Sequence, residues 1–261
     1  MTLPALKALN ILVLGAVLVV NGLAGSGALS GESIGAIANR YPSYFLPANY
    51  VFGIWSLIYL WLAAFAVHQA LPGPVPNRIV QRVGLWWLTT SLLNIAWVTT
   101  FSFAWFGAAM LAMLALLASL AVLVRRVIPD GGAVSGREQL FSAAPFGLYF
   151  SWISVAVVAN LFQYGAYRGW SAWGFGSPGW SALMLVLTAV AGVVMAARWG
   201  IWVFPLVVAW ATWGIADRFA DVPLIATTAR LTILAGLLGL AGALAWRQFR
   251  RLRPLSGGAA G

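Results

Sequence analysis

Eight stretches of about twenty mostly apolar residues follow one another along this 261-residue chain, and no other feature limits its fold so severely. The runs fall near 8–28, 50–71, 83–103, 106–127, 143–166, 179–197, 200–218 and 222–247, each bounded by a cluster of turn-forming or charged residues. A helix of about 20 residues is what the roughly 30 Å hydrocarbon layer of a bilayer requires. With no water in that layer, every backbone amide and carbonyl must find its partner inside the protein, so only helices and closed barrels cross it. Barrel strands would read as alternating segments of about ten residues, and no such alternation is present. The expectation is therefore all-α: a polytopic membrane helical bundle of about eight transmembrane helices. Composition agrees, because 62% of the residues are hydrophobic and only 8% charged. Eight spans would occupy roughly 160 positions, close to the whole apolar content, which leaves little for a soluble domain.

The net charge of +10 does not point to nucleic acid, since the 15 basic residues sit in short groups between apolar runs instead of along one face. Counted on alternate sides of the eight spans, Lys7, Arg78, Arg82, Arg125, Arg126, Arg137, Arg198, Arg247, Arg250, Arg251 and Arg253 share one side. Arg40, Arg168 and Arg218 occupy the other, and Arg230 lies inside the last run. The positive-inside rule then places both termini in the cytoplasm of a multi-pass protein. Lys7, the run from Leu9 to Ala24 and the small residues Gly25 to Ala28 also have the layout of a signal peptide. Removing that segment would leave seven spans and put the termini on opposite sides, so it is expected to stay as the first helix. The chain has no cysteine, one histidine and five acids, which rules out thiolate chemistry and most hydrolytic or metal-binding constellations.

The loops differ in character. Residues 29–49 form a long exoplasmic connection with Glu32, Arg40, Tyr41-Pro42, Tyr44-Phe45 and Pro47, a stiff aromatic composition suited to a lid over the helix ends. Residues 167–180 hold Trp170, Trp173, Phe175 and Trp180 among glycines, as an interfacial aromatic belt would. On the cytoplasmic side Pro129-Asp130-Gly131-Gly132 reads as a turn and Gly257 to Gly261 as a flexible tail. The echo between Gly53-Ile54-Trp55 and Gly200-Ile201-Trp202 is too short to mark an inverted repeat.

Three spans carry aromatic stripes with a polar member. Trp55 and Tyr59 stand at i,i+4 in the second; Asn94, Trp97 and Phe101 align at i, i+3 and i+7 in the third; Tyr149 and Trp152, with Asn160 further on, mark the fifth. By spacing alone these stripes fit either helix packing with interhelical amide bonds or an aromatic pocket. The sequence at this point resembles the tryptophan-rich sensory protein and translocator protein family (TspO/MBR). The matching positions are Val51-Phe52 and Trp55, Leu93-Asn94 and Trp97, and Tyr149, Trp152 and Asn160, in order and on the corresponding helices. The resemblance covers residues 1–166. It departs from the family pattern at Phe45-Leu46-Pro47, where a Trp-rich double-proline stretch is usual, and at Leu148-Tyr149 in place of Pro-Tyr. It implies a five-helix transmembrane core over 1–166, extended by a three-helix unit with a basic tail over 167–261. It further implies a pocket beneath the first loop for a tetrapyrrole, such as porphyrin or heme, or another small apolar planar ligand, with no cofactor required. The ligand-binding residues would be Trp55, Tyr59, Asn94, Trp97, Tyr149, Trp152 and Asn160.

His68 falls near the cytoplasmic end of the second span, opposite the proposed lid, and reads as a solvated interfacial residue and not as a ligand. Arg230, about eight positions inside the last run, is the most costly residue to insert, at roughly 2.5 to 3.5 kcal/mol for a central charge. Asp217 and Asp221 are its nearest acids in sequence, so Arg230 and Asp217 make a candidate anion or ion-pair site. Snorkelling to the interface is the structural alternative. Ala235, Gly239 and Ala243 form a small-residue seam that would admit a close helix neighbour, within the chain, in a homodimer or in a membrane complex. The leading expectation is a membrane sensor or carrier. A secondary transporter using Arg230 and Asp217, or an accessory subunit docked through the seam, are the alternatives. With no acid–base pair near the stripes, any catalysis there would have to be photochemical or radical.

Overall fold

The structure, a computed structural model, describes residues 2–128 and 135–252, the side chains of 250–252 excepted. The turn at Pro129 to Gly132, Arg253 and the tail at Gly257 to Gly261 lie outside the described residues. Helices account for almost everything else, and no strand occurs among the described residues. Among the described residues, six helical stretches are long and apolar enough to cross a membrane: Leu3–Ser26, Asn49–Ala70, Phe106–Val127, Gly136–Tyr167, Pro178–Trp199 and Pro223–Phe249. The other two apolar runs fold as helices of 17 and 16 residues, about 25 Å each at 1.5 Å per residue. All eight apolar runs are thus helical.

In chain order the helices are α1 (Leu3–Ser26), α2 (Ile34–Asn39), α3 (Ile54–Ala70), α4 (Pro74–Val83), α5 (Trp86–Ser102), α6 (Phe106–Val127), α7 (Gly136–Glu138), α8 (Ala144–Tyr167), α9 (Pro178–Trp199), α10 (Val203–Arg218) and α11 (Pro223–Leu252). A 3-10 turn, Asn49–Gly53, leads into α3, and a π turn, Gln139–Ala143, joins α7 to α8. The local signals are conventional. Proline occupies the first turn of α1, α4 and α9, where its missing N–H costs nothing. Gly27 and Gly200 end α1 and α9 in the left-handed conformation that glycine adopts without strain.

Three features were not apparent as apolar runs. Loop 1 contains α2, capped by the Ser33 hydroxyl, which accepts from the Ala36 amide. The connection after α3 contains α4, which buries Pro76, Ile79, Val80 and Val83 at i, i+3, i+4 and i+7 and exposes Arg78 and Gln81. The fifth span starts at Gly136, because Ser135 and Glu138 close a reciprocal capping box there. Glu138 also pairs with Arg78 at 3.2 Å and Arg82 at 3.3 Å, so α4 and α7 are fastened together at this end of the bundle.

Helices α1, α3, α8, α6 and α5 pack in that order as a closed ring. One end of the ring is filled by Phe65, Trp87 and Phe146, whose ring centroids lie 4.8 to 6.0 Å apart. The Trp87 indole donates to the Asn10 carbonyl at 3.1 Å, and Asn10 Nδ2 donates to Gln69 Oε1 at 2.8 Å, tying α1, α3 and α5. Helices α9, α10 and α11 pack on one another and meet the ring mainly through α10, which lies along α8 and the 3-10 turn before α3. Lys7 donates to the Leu71 carbonyl, and Arg247 lies against Gly200, so the start of α1 and the last turns of α11 share an end with the α3–α4 and α9–α10 connections. An even number of crossings produces that arrangement. In the seam of α11, Gly239 faces Val193 of α9 and Ala243 is buried with Ala196, so this part of the seam is filled from within the chain.

Candidate functional site

At the other end of the ring, the three aromatic stripes converge. Trp55 stacks on Tyr59 (centroids 5.4 Å apart, planes 21°) and on Trp97 (5.7 Å, 22°). It also meets Tyr149 and Trp152 edge-on, at 6.0 and 6.2 Å. Such stacked and edge-to-face pairs each contribute about 0.5 to 1.5 kcal/mol beyond burial. Helical spacing brings this about: residues four apart on α3 and three apart on α5 and α8 are presented inward on three helices of one ring. All seven residues expected to bind ligand are brought together, since the remaining two join by hydrogen bonds or contact. The Trp97 indole donates to Asn160 Oδ1 at 3.3 Å, and Asn94 is fully buried with its amide facing the Tyr59 and Tyr149 hydroxyls.

Two cavities meet at this cluster. The larger, about 690 Å³, is a cleft beneath loop 1 between α1, α2, α3 and α5, with Trp55, Tyr59 and Trp97 on its wall and Asn21, Asn39 and Asn49 around it. The smaller, about 50 Å³, lies on the far side of Trp55 towards α8 and α10 and includes Trp152 and Asn160. Ile34, Phe52, Trp55 and Trp97 border both. Beneath the cleft, Asn21 Nδ2 donates to Asn94 Oδ1 at 2.8 Å and to the Val17 carbonyl at 2.9 Å. The Tyr59 hydroxyl, Asn94 Nδ2 and Trp152 Nε1 are buried and complete no hydrogen bond among the described residues. Burying a polar group without a partner costs about 1 to 3 kcal/mol; Tyr59 borders the cleft and Trp152 the smaller cavity, where a ligand or bridging water would relieve that cost.

Loop 1 and the 3-10 turn after it are held by α10. Arg218 of α10 donates to Asn39 Oδ1 at 2.8 Å and to the Pro47 carbonyl at 3.3 Å; the Ala48 amide donates to the Gly214 carbonyl at 3.1 Å; and the Trp210 indole donates to the Val51 carbonyl at 3.0 Å. Within the loop, Arg40 pairs with Glu32. Asn21, Asn39, Asn49, Phe52 and Arg218 were not singled out from sequence as site residues. An asparagine within an apolar run is the signal that could have marked Asn21, whereas the others depend on how loop 1 folds back.

The remaining candidates lie elsewhere. Arg230 and Asp217 are both exposed and form no ion pair with each other; the Asp217 carboxylate faces the Tyr50 hydroxyl instead. The structure corrects the reading of His68 as solvated: it is buried, with its ring stacked on Phe141 at 4.4 Å. The π turn before α8 supplies that neighbour, and no apolar run indicated it. In the belt between α8 and α9, Trp173 is almost fully exposed, while Phe175 packs on Phe162 and Gly165.

A ring of apolar helices enclosing indoles and amides beneath a folded first loop defines an integral helical membrane protein with an internal aromatic site. The chain belongs to the TSPO-like protein family, whose model matches residues 7–243. The matched stretch takes in the five-helix ring and continues through α9 and α10 into α11. No curated protein and no solved structure matches the chain.

Proposed function

We propose that the protein is a membrane sensor or carrier that binds a tetrapyrrole or similar apolar planar ligand in the cleft under loop 1. The observation that carries this reading is the position of Trp55, which forms a wall common to two cavities and is itself held in place by four other rings. A flat indole face fixed on a rigid helix suits a flat conjugated ligand, because stacking is gained without ordering the side chain on binding. A volume of about 690 Å³ falls within the range of about 300 to 1,000 Å³ typical of small-molecule sites. Asn94, Asn160 and Tyr59 supply the few directional groups such a site uses to orient its ligand. The family's ligand class supports the reading, and the eleven-to-three division of basic residues supports an exoplasmic cleft with both termini in the cytoplasm.

The test is a titration of the purified protein with protoporphyrin IX, following tryptophan emission. Saturable quenching is expected, and Trp55→Ala and Trp152→Ala should each weaken binding by about tenfold, the equivalent of about 1.4 kcal/mol. Quenching no greater than that seen with an unrelated membrane protein in the same detergent would overturn the proposal.

A further inference from the structure

We infer that Arg218, on a helix outside the five-helix ring, is a positioning residue that fixes the hydrogen-bonding polarity of the cleft, so that its rim offers a donor and selects ligands carrying an acceptor there. This rests on the binding role proposed above, and follows from the bonding capacity of three side chains. A guanidinium has five N–H donors and no acceptor. The Asn39 atom 2.8 Å from Arg218 must therefore be its carbonyl oxygen, which turns the Asn39 NH2 group the other way. That group donates to the Gly35 carbonyl at 2.7 Å and to Asn49 at 2.9 Å, so the Asn49 atom facing it must be Oδ1. What remains of the Asn49 amide is Nδ2, a donor, on a residue that lines the cleft. Amide oxygen and nitrogen are assigned from the surrounding network, and here a cation that cannot accept sets the whole sequence.

Behind the cleft wall the amides are ordered in the same way. Asn21 Nδ2 is fixed by the Val17 carbonyl and donates to Asn94 Oδ1, so Asn94 also has a donor left over. That donor faces the Tyr59 and Tyr149 hydroxyls behind the cleft wall, so the donor offered to the cleft is the one at its rim, on Asn49. An alkyl-only planar molecule would leave the rim donor unmet, whereas a planar molecule with a peripheral carboxylate or carbonyl meets it while its face lies against Trp55. Arg218 has a second part in this, because its bond to the Pro47 carbonyl clasps loop 1 to α10.

The experiment compares two porphyrins, protoporphyrin IX with its carboxylates and etioporphyrin I with alkyl substituents only. The wild-type protein should prefer the first by about tenfold, the value of one hydrogen bond to a charged acceptor at about 1.5 kcal/mol. Arg218→Met, which keeps the apolar stem, should reduce the preference to about threefold or less, whatever loss of affinity common to both porphyrins the loosened loop brings. Arg218→Lys, another donor without an acceptor, should restore it. Asn39→Asp keeps the partner of Arg218 but can only accept, so Asn49 turns over, presents Oδ1 to the cleft and abolishes the preference. An unchanged preference in either Arg218→Met or Asn39→Asp would overturn the assignment. Hydrogen exchange of residues 34–48 without added ligand should be faster in Arg218→Met than in wild type or Arg218→Lys, and equal rates would overturn the clasp. Should the wild-type protein bind neither porphyrin, it is the proposed function that fails, and the exchange rates alone then decide the role of Arg218 in the loop.

Discussion

Gly214 is where α10 comes closest to the lid, and replacing it by alanine should unfasten the two. A Cβ built on Gly214 would overlap the Val51 side chain and lie 3.3 Å from Pro47 Cβ. Val51 is buried, and the Gly214 carbonyl accepts from the Ala48 amide at 3.1 Å, so neither side can give way by rotating one flexible group. Overpacking of this kind costs about 1 to 3 kcal/mol, and lengthening the Ala48 bond costs about 1 kcal/mol more. Against this, alanine is preferred over glycine in a helix by about 0.8 to 1.0 kcal/mol. The balance is a loss of about 1 to 3 kcal/mol. Gly15→Ala is the matched control: Gly15 is also inside an apolar helix, but nothing lies within 4 Å of its added methyl group, so only the propensity gain remains. Thermal unfolding in detergent, followed by tryptophan fluorescence, should show Gly214→Ala melting several degrees below wild type and Gly15→Ala at or slightly above it. If both variants melt together, the close approach of α10 to the lid is not a tight contact, and the account of how loop 1 is held fails with it.

Glu138→Gln should destabilise the protein by about 1 to 3 kcal/mol, since it removes a buried carboxylate that answers two arginines and caps a helix; thermal unfolding measures it, and combination with Arg78→Gln should cost less than the sum of the two single changes. Asn10→Leu should cost about 0.6 to 1.7 kcal/mol by depriving buried Gln69 Oε1 of its donor. The double variant Asn10→Leu/Gln69→Leu should recover part of that, because matched apolar replacement leaves fewer polar groups unpaired. A double variant less stable than Asn10→Leu would show that the Gln69 bond to the Lys7 carbonyl is the more important of the pair.

Much of the fold is legible in the sequence because the bilayer reduces it to one variable, the length of apolar runs. All eight runs correspond to helices, and their ends differ from expectation only where short-range polar chemistry intervenes. The start of the fifth span moved back because Ser135 and Glu138 cap a turn that hydropathy ignores. α4 was missed because ten residues with one apolar face are too few and too polar to register as a span, and amphipathic spacing in a connection is easily read as loop. Loop 1 was legible as a lid in composition but not in attachment, because its ties to Gly214, Trp210 and Arg218 reach 159 to 179 residues along the chain.

Legibility of the site followed a different rule. The stripes identified which residues share a helix face, the family resemblance selected seven of them, and a ring of helices then made those faces meet in one cluster. Spacing could not separate a packed core from a binding site, and unpaired polar atoms do not do so unaided either. Asn10 Oδ1, His68 Nε2 and the hydroxyls of Ser91, Ser102 and Ser181 are also buried without partners. None of those five residues borders the cavities described above, whereas Tyr59 and Trp152 do and Asn94 is bonded to Asn21, which does. A buried unpaired atom inside close packing is a standing cost that only local rearrangement can reduce. The same atom beside a cavity is a cost that binding can remove, and the energy recovered is then available as affinity. On that distinction, filling the cleft by Gly25→Phe should block porphyrin binding without altering the ring. Replacing Ser91 by alanine, which removes an unpaired hydroxyl on a residue that borders neither cavity, should leave binding unchanged and stability equal or higher. Loss of porphyrin quenching in Ser91→Ala would show that the unpaired atoms act together and that adjacency to the cavity is not what sets the site apart.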